Sequence, residues 1–171
     1  MQSDDAGSVF GWGWGESGQL GRGNTNDIEI PVLVKPLSNK RIGRISCGLS
    51  HSLAVTDTGE LYVWGKGAYG RLGTGTEFDC RMPSKLNIEK KRIIDGCCGG
   101  YHSAVLTSKN ELYVFGRGDK GQLGLGVDNA MRPSVVPFFA DKKVAKVACG
   151  NSHTIVCTSW YLNGLKDLLV L

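Results

Sequence analysis

Residues 44–75 read RISCGLSHSLAVTDTGELYVWGKGAYGRLGTG, and residues 95–126 read DGCCGGYHSAVLTSKNELYVFGRGDKGQLGLG. Two blocks recur. The first is Cys-Gly-x-x-His, at Cys47 and His51, at Cys98 and His102, and at Cys149 and His153, in steps of 51 residues. The second is glycine-rich: WGWGESGQLGRG at 12–23, WGKGAYGRLGTG at 64–75 and FGRGDKGQLGLG at 115–126. Its glycines 13, 65 and 116 step by 52 and 51, so the period is 51 residues with a one-residue slip near the N-terminus. A fixed period of this size marks an array of supersecondary units that stack to bury a shared core.

Within one period the apolar pattern is that of strands. HSLAVT (51–56) and ELYVWG (60–65) are short, rich in β-branched and aromatic residues, and joined by the turn sequence Asp57-Thr58-Gly59. The second copy has HSAVLT, then Ser108-Lys109-Asn110, then ELYVFG. Residues 44–47 precede this pair as a further strand, and residues 83–87 follow the glycine loop as a fourth. No stretch holds a 3.6-residue apolar period. The expected fold is all-β, a partial β-propeller of four-stranded antiparallel blades in about three repeats.

Composition narrows the class. The 171 residues include 25 glycines but only 5 prolines, with 41% hydrophobic and 21% charged residues, which excludes collagen, a Pro/Gly linker and a disordered chain. A formal net charge of +4 is too mild for a dedicated nucleic-acid binder. There is no 18-residue apolar run, so no membrane span is expected. The N-terminus MQSDDAGS lacks the order of a signal peptide, and the six cysteines read as reduced thiols of an intracellular protein.

The blocks Ile45-Ser46-Cys47-Gly48-x-x-His51-Ser52-Leu53-Ala54-Val55 and Leu61-Tyr62-Val63-Trp64-Gly65, with Gly70-Arg71-Leu72-Gly73 beyond, resemble the regulator of chromosome condensation repeat. The likeness covers residues 8–158, with departures at Gly96, where an apolar residue is usual, and at Phe115, which replaces a tryptophan. It implies a seven-bladed propeller, of which a chain of 171 residues holds under half. Residues 44–87 and 95–138 each supply a full blade, residues 8–38 the last two strands of a preceding one, and residues 144–158 the first two of a following one. That leaves residues 1–7 as a polar N-terminal extension and residues 159–171 as a non-repeat tail. There SWYLNGLKDLLVL replaces the turn and LYVWG-like strand that the repeat predicts. Such a chain is expected not to close alone. A fragment, a truncated product or alternative isoform, and a blade set completed by another chain all fit, and the tail also fits a short native cap.

Three roles follow from the resemblance. Guanine-nucleotide exchange on a Ran-like small GTPase depends in that family on an inserted hairpin wedge and on acidic loop residues. The repeats here differ by at most one residue, so they contain no insertion, and a wedge would have to lie in the missing blades. Ultraviolet-B photoreception depends on clustered tryptophans and a Gly-Trp-x-Arg-x-Glu motif, but Gly13-Trp14-Gly15-Glu16 lacks the arginine, and Trp12, Trp14, Trp64 and Trp160 do not share one loop. The third role, a scaffold attached to a catalytic domain, leaves only binding. The expectation is a non-enzymatic protein–protein interaction module, with exchange activity on a Ran-like GTPase as the alternative.

The chemical motifs favour no enzyme. Gly13-x-Gly15-x-x-Gly18 spells a dinucleotide fingerprint, yet no helix can start at Gln19-Leu20-Gly21-Arg22-Gly23 to present free amides to a phosphate. The same spelling recurs in every repeat, as structural turns with positive φ would. The Cys-x-x-x-His pairs are dispersed one per blade, whereas a zinc ion needs four converging ligands. They read instead as a small buried cysteine and a histidine whose ring bonds a neighbouring turn. Ser50, Ser52, Ser103 and Ser152 recur with the repeat, so no unique nucleophile and base stand out. No catalytic residue, cofactor or metal is expected.

Two loop sets are candidates for binding a protein partner. Lys40-Arg41, Lys91-Arg92 and Lys142-Lys143 fall at 51-residue steps before each Cys-Gly strand, on the face that also carries the Asp57-Thr58-Gly59 turn. They are either ordinary solvated charges or a basic rim for an acidic protein surface or phosphates. The opposite face carries changing loop tips, Glu16-Ser17, Ala68-Tyr69 and Asp119-Lys120, among which Tyr69 is the anchor candidate.

Overall fold

The computed structural model describes residues 7–159; residues 1–6 and 160–171, which hold most of the expected extension and tail, lie outside the described residues. The first strands, β1 (Phe10–Gly13) and β2 (Ile28–Leu33), pair with each other. Then comes a four-stranded antiparallel sheet in sequential order: β3 (Ile42–Cys47), β4 (His51–Thr56), β5 (Leu61–Gly65) and β6 (Cys80–Leu86). A second follows: β7 (Ile93–Cys98), β8 (His102–Thr107), β9 (Leu112–Arg117) and β10 (Asn129–Val135). β11 (Val144–Cys149) and β12 (Thr154–Thr158) form a closing pair. The all-β, four-stranded-blade architecture read from the repeat is therefore present, with two full blades flanked by two strand pairs. The only helical pieces among the described residues are three-residue 3-10 turns.

Alternation along the central strands explains the stacking. Leu53 and Val55 of β4 and Leu61 and Val63 of β5 face the next blade, where they meet Ile93, Val105, Tyr113 and Phe115. Their neighbours Ala54, Tyr62 and Trp64 face the preceding seam and pack on Val9, Val34 and Leu37. One blade on, Ala104, Leu112 and Val114 turn toward Val147 of β11 and Val156 of β12. Both faces of each full blade are thus covered, and every residue of β4 and of β8 is buried. This is why these strands read as continuous apolar runs rather than as half-exposed alternation. Full burial of one such aliphatic or aromatic side chain contributes roughly 1.5–3 kcal/mol, so the interblade seams supply the main stabilisation of the array.

The outer strand β6 starts at Cys80, earlier than residues 83–87 imply, because Cys80 still pairs with Gly65. Pro31, Pro83 and Pro133 lie in β2, β6 and β10, each at a sheet edge where a missing N–H breaks no ladder. The glycine loop after β5 is tightly folded. Its Gly67 N–H donates to Asp79 Oδ1 at 2.9 Å, and a Cβ there would collide with the Phe78 carbonyl. Gly13, Gly65 and Gly116 share positive φ values of 96°, 101° and 108°, as expected for structural turns. After Gly65 the chain makes only the 3-10 turn Ala68–Gly70, which offers no helix N-terminus to a phosphate.

Candidate functional site

Each Cys-Gly-x-x-His block ties one blade to the next. His51 Nε2 lies 2.9 Å from Ser103 Oγ on β8, and His102 Nε2 lies 2.9 Å from Thr154 Oγ1 on β12. The ring therefore bonds a strand hydroxyl of the following blade, not a neighbouring turn as the sequence suggested. Ser103 Oγ donates its one proton to the Arg71 carbonyl at 2.9 Å, and Thr154 Oγ1 donates to the Gln122 carbonyl at 2.7 Å. Each hydroxyl must then accept from histidine, which fixes the proton on Nε2 and leaves Nδ1 of His51 and His102 buried without a partner. Burial, with Arg71 and His102 nearby, pulls His51 from the ordinary 6.5 down to about 3. Burial alone lowers His102. A side chain at Gly48 would strike the His51 ring, which accounts for the glycine in this motif. The cysteines are less uniform than expected: Cys98 is buried, Cys149 half-buried and Cys47 exposed. Among the described residues no three His, Cys, Asp or Glu side chains gather where a metal ion could sit.

The basic loops share one face with the β4–β5 turn, as expected: the Asp57 and Ser108 amides donate to the Arg41 and Arg92 carbonyls. Acidic groups interleave with them. Lys40 pairs with Glu60 at 3.6 Å, Arg41 with Asp57 at 3.6 Å, and Lys142 with Asp141 at 2.7 Å. Lys91 sits between Glu89 at 3.0 Å and Glu111 at 2.6 Å, and bonds the Tyr113 hydroxyl. These contacts hold the Lys91 ammonium protonated well above the usual lysine range and keep Glu111 below the usual carboxylate range. Arg92 donates to the Asp57 carbonyl at 2.9 Å, and the Lys143 carbonyl accepts from the Ser159 amide. Arg41, Arg92 and Lys143 thus take equivalent places in successive repeats, and carboxylates are interleaved with the basic residues around them.

On the opposite face Tyr69 belongs to a side-chain cluster that bridges the two full blades. Its ring meets Tyr101 edge-on with centroids 5.7 Å apart. The Arg71 guanidinium lies 4.5 Å from the Tyr101 ring, and the Arg117 guanidinium lies 5.1 Å from the Tyr69 ring and 5.5 Å from that of Tyr101. Arg71 is buried and anchored to the Ala68 and Gly100 carbonyls, while Arg117 is held by Asp119 at 2.7 Å. Tyr69 itself has φ of 63°, its amide is bonded to Glu77 Oε1, and it remains 37% exposed.

Tyr69 stands out in the sequence as an anchor candidate, whereas Tyr101, Arg71 and Arg117 do not. A signal was present. Ser50 and Ser152 occupy the repeat position of Tyr101, Ser17 and Lys120 that of Tyr69, and Gln19 and Gln122 that of Arg71. At these three positions the repeat breaks its own symmetry.

The two ends of the array carry apolar grooves. One, of about 410 Å³, runs past Phe10, Trp12, Ile45 and Leu49; the other, of about 440 Å³, past Leu112, Leu123, Val136 and Phe139. Trp12 stands at the repeat position of buried Trp64 and Phe115 but is 57% exposed, since among the described residues β1 has a strand on one side only. No helix of the described residues is long and apolar enough to cross a membrane.

Comparison with known proteins agrees with this architecture. The regulator of chromosome condensation (RCC1) repeat matches three times, at residues 6–55, 58–106 and 109–157. The chain is 38% identical over 157 residues to the human E3 ubiquitin-protein ligase HERC2, covering 91% of this chain and 3% of that protein. It is 43% identical over 150 residues to the ultraviolet-B receptor UVR8 of Arabidopsis thaliana, covering 86% of this chain and 34% of the receptor. The chain thus spans about a third or less of these relatives. Human WBSCR16 superposes with a TM-score of 0.81 at 27% identity, over 91% of this chain and 42% of its own. Prp20p of Saccharomyces cerevisiae superposes with a TM-score of 0.81 at 22% identity, over 91% of this chain and 40% of its own. With three matches in register over two full blades and two flanking strand pairs, the chain belongs to the regulator of chromosome condensation repeat family.

Proposed function

We propose that this array is a non-enzymatic protein-interaction module that receives its partner on the face of the glycine loops, centred on Tyr69. The observation that carries the reading is the Tyr69–Tyr101 pair clamped by Arg71 and Arg117. Tyrosine and arginine dominate interface hot spots, and an aromatic already fixed by its neighbours loses little conformational freedom on binding. The symmetry break adds weight, because a surface shaped only by folding would repeat. The basic rim of Lys40, Arg41, Lys91, Arg92, Lys142 and Lys143 takes a lesser part, as interleaved carboxylates offset its charge.

Prp20p is described with binding properties to Gsp1p and histones, so purified Gsp1p and core histones are the probes of choice. Tyr69→Ala and Arg117→Ala are each expected to weaken binding by about tenfold or more, about 1.4 kcal/mol. Reversing the six rim residues to glutamate should change the salt dependence more than the affinity. The opposite pattern would move the interface to the rim. Nucleotide release from Gsp1p accelerated well above its spontaneous rate would instead favour the exchange-factor reading.

A further inference from the structure

The seam between β7–β10 and β11–β12 holds a pair of thiols that the preceding seam does not. Cys97 Sγ on β7 and Cys149 Sγ on β11 lie 2.8 Å apart, both half-buried. In the preceding seam the equivalent positions are Ser46 on β3 and Cys98 on β7. There the Ser46 hydroxyl accepts the Cys98 amide at 3.0 Å, and Cys98 Sγ lies 3.7 Å from the Ser46 carbonyl. Cys149 Sγ lies at the same 3.7 Å from the Cys97 carbonyl. The two seams are thus built alike, and one atom changes: a sulfur replaces a hydroxyl, and that sulfur meets another across the blades.

We propose that Cys97 and Cys149 are a modification site, an interblade dithiol that closes to a disulfide by exchange with a low-molecular-weight disulfide such as oxidised glutathione. A disulfide has an S–S distance of about 2.03–2.05 Å, so closure needs the two sulfurs to approach by less than about 1 Å. The Cys149 thiol gives its proton to solvent and its sulfur attacks one sulfur of oxidised glutathione, forming a mixed disulfide and expelling one glutathione thiolate, which takes up a proton. The Cys97 sulfur then gives up its proton to solvent and displaces the second glutathione. Two protein thiols are oxidised, one glutathione disulfide is reduced to two thiols, and the electrons balance. The hydrogen bond with Cys149, followed by burial, holds the Cys97 thiol protonated well above the usual range, so Cys97 is the poorer first nucleophile and the attack on glutathione falls to Cys149. Burial likewise pushes the neighbouring Cys98 thiol far up, so it is a poor competitor. The product links residues 52 apart in sequence and ties β11–β12 covalently to the full blade beside it. In a reducing compartment the pair rests as thiols, and a shift in glutathione poise closes it.

The test uses the full chain with the exposed Cys47 and Cys157 changed to serine. It is incubated folded with oxidised glutathione, then alkylated, digested with trypsin without reduction, and mapped by mass spectrometry. The expected product is one cross-link joining Cys97 to Cys149, lighter by two hydrogens than the reduced pair. In Cys97→Ser, which reproduces the serine already tolerated at position 46, Cys149 should instead accumulate as its glutathione mixed disulfide. Recovery of both thiols free, a stable glutathione adduct on Cys149 with Cys97 intact, or cross-linking to Cys98 as frequent as to Cys149 would overturn the proposal.

Discussion

Lowering the pH should weaken this fold through His51, with a magnitude that follows from its surroundings. The ring is almost wholly buried, donates through Nε2 to Ser103, and has no partner for Nδ1. The titratable or charged groups facing it are Arg71 and His102, neither of which welcomes a second positive charge. Its folded value of about 3 lies below the ordinary 6.5 of the unfolded chain. The stabilisation is therefore complete above the unfolded value and is lost as the pH falls from there toward the folded one. At about 1.4 kcal/mol per pKa unit, the loss between pH 7 and pH 5 is about 2 kcal/mol. The lowered carboxylates Glu60, Glu89, Glu111, Asp119 and Asp141 have ordinary values of 4.5 or 3.8, so they titrate below this window. His102 is shifted in the same direction and remains in every variant. Urea unfolding followed by tryptophan fluorescence at pH 7, 6 and 5 would compare the parent chain with His51→Gln. Glutamine can still donate to Ser103 but does not titrate. The variant should lose about 2 kcal/mol less than the parent over that interval. Equal acid sensitivity in the two proteins would refute the buried, Nε2-protonated histidine and the interblade clip built on it.

Two stability predictions address the scaffold directly, both read from chemical unfolding midpoints. Trp64→Phe removes the 2.7 Å hydrogen bond from Nε1 to the Gln19 carbonyl, which still accepts from Ser52. The cost should be about 0.5–1.5 kcal/mol with the fold retained, since Phe115 fills the equivalent position one blade on. Gly67→Ala drives a Cβ into the Phe78 carbonyl, so the glycine loop must open. Overpacking of this kind costs about 1–3 kcal/mol, and the loss of its Asp79 bond should show as faster amide exchange at Gly67.

How far the sequence could carry the reading differs from residue to residue. HSLAVT and ELYVWG disclosed β4 and β5 because strand pairing is local, and the short turn between them sets the register. The 51-residue step disclosed the blade count of the described array, since a strand that buries both faces needs a like neighbour. Cys-Gly-x-x-His was visible as a motif, but its partner was not: Ser103 lies 52 residues from His51, and only stacking brings them within 2.9 Å. The charge of the basic loops was legible, whereas the carboxylates that interleave with it, such as Glu111 beside Lys91, are set by side-chain reach across strands.

Periodicity alone determined the fold class, the turn chemistry and the alternation that fills the seams, because each depends on residues adjacent in the chain or one repeat apart. Tertiary structure alone decided what meets across a seam. The Tyr69–Tyr101 cluster and the Cys97–Cys149 pair arise at positions where the repeats differ. A repeat fixes the slot, but the side chains that fill it come from two blades, and their contact exists only once those blades are stacked.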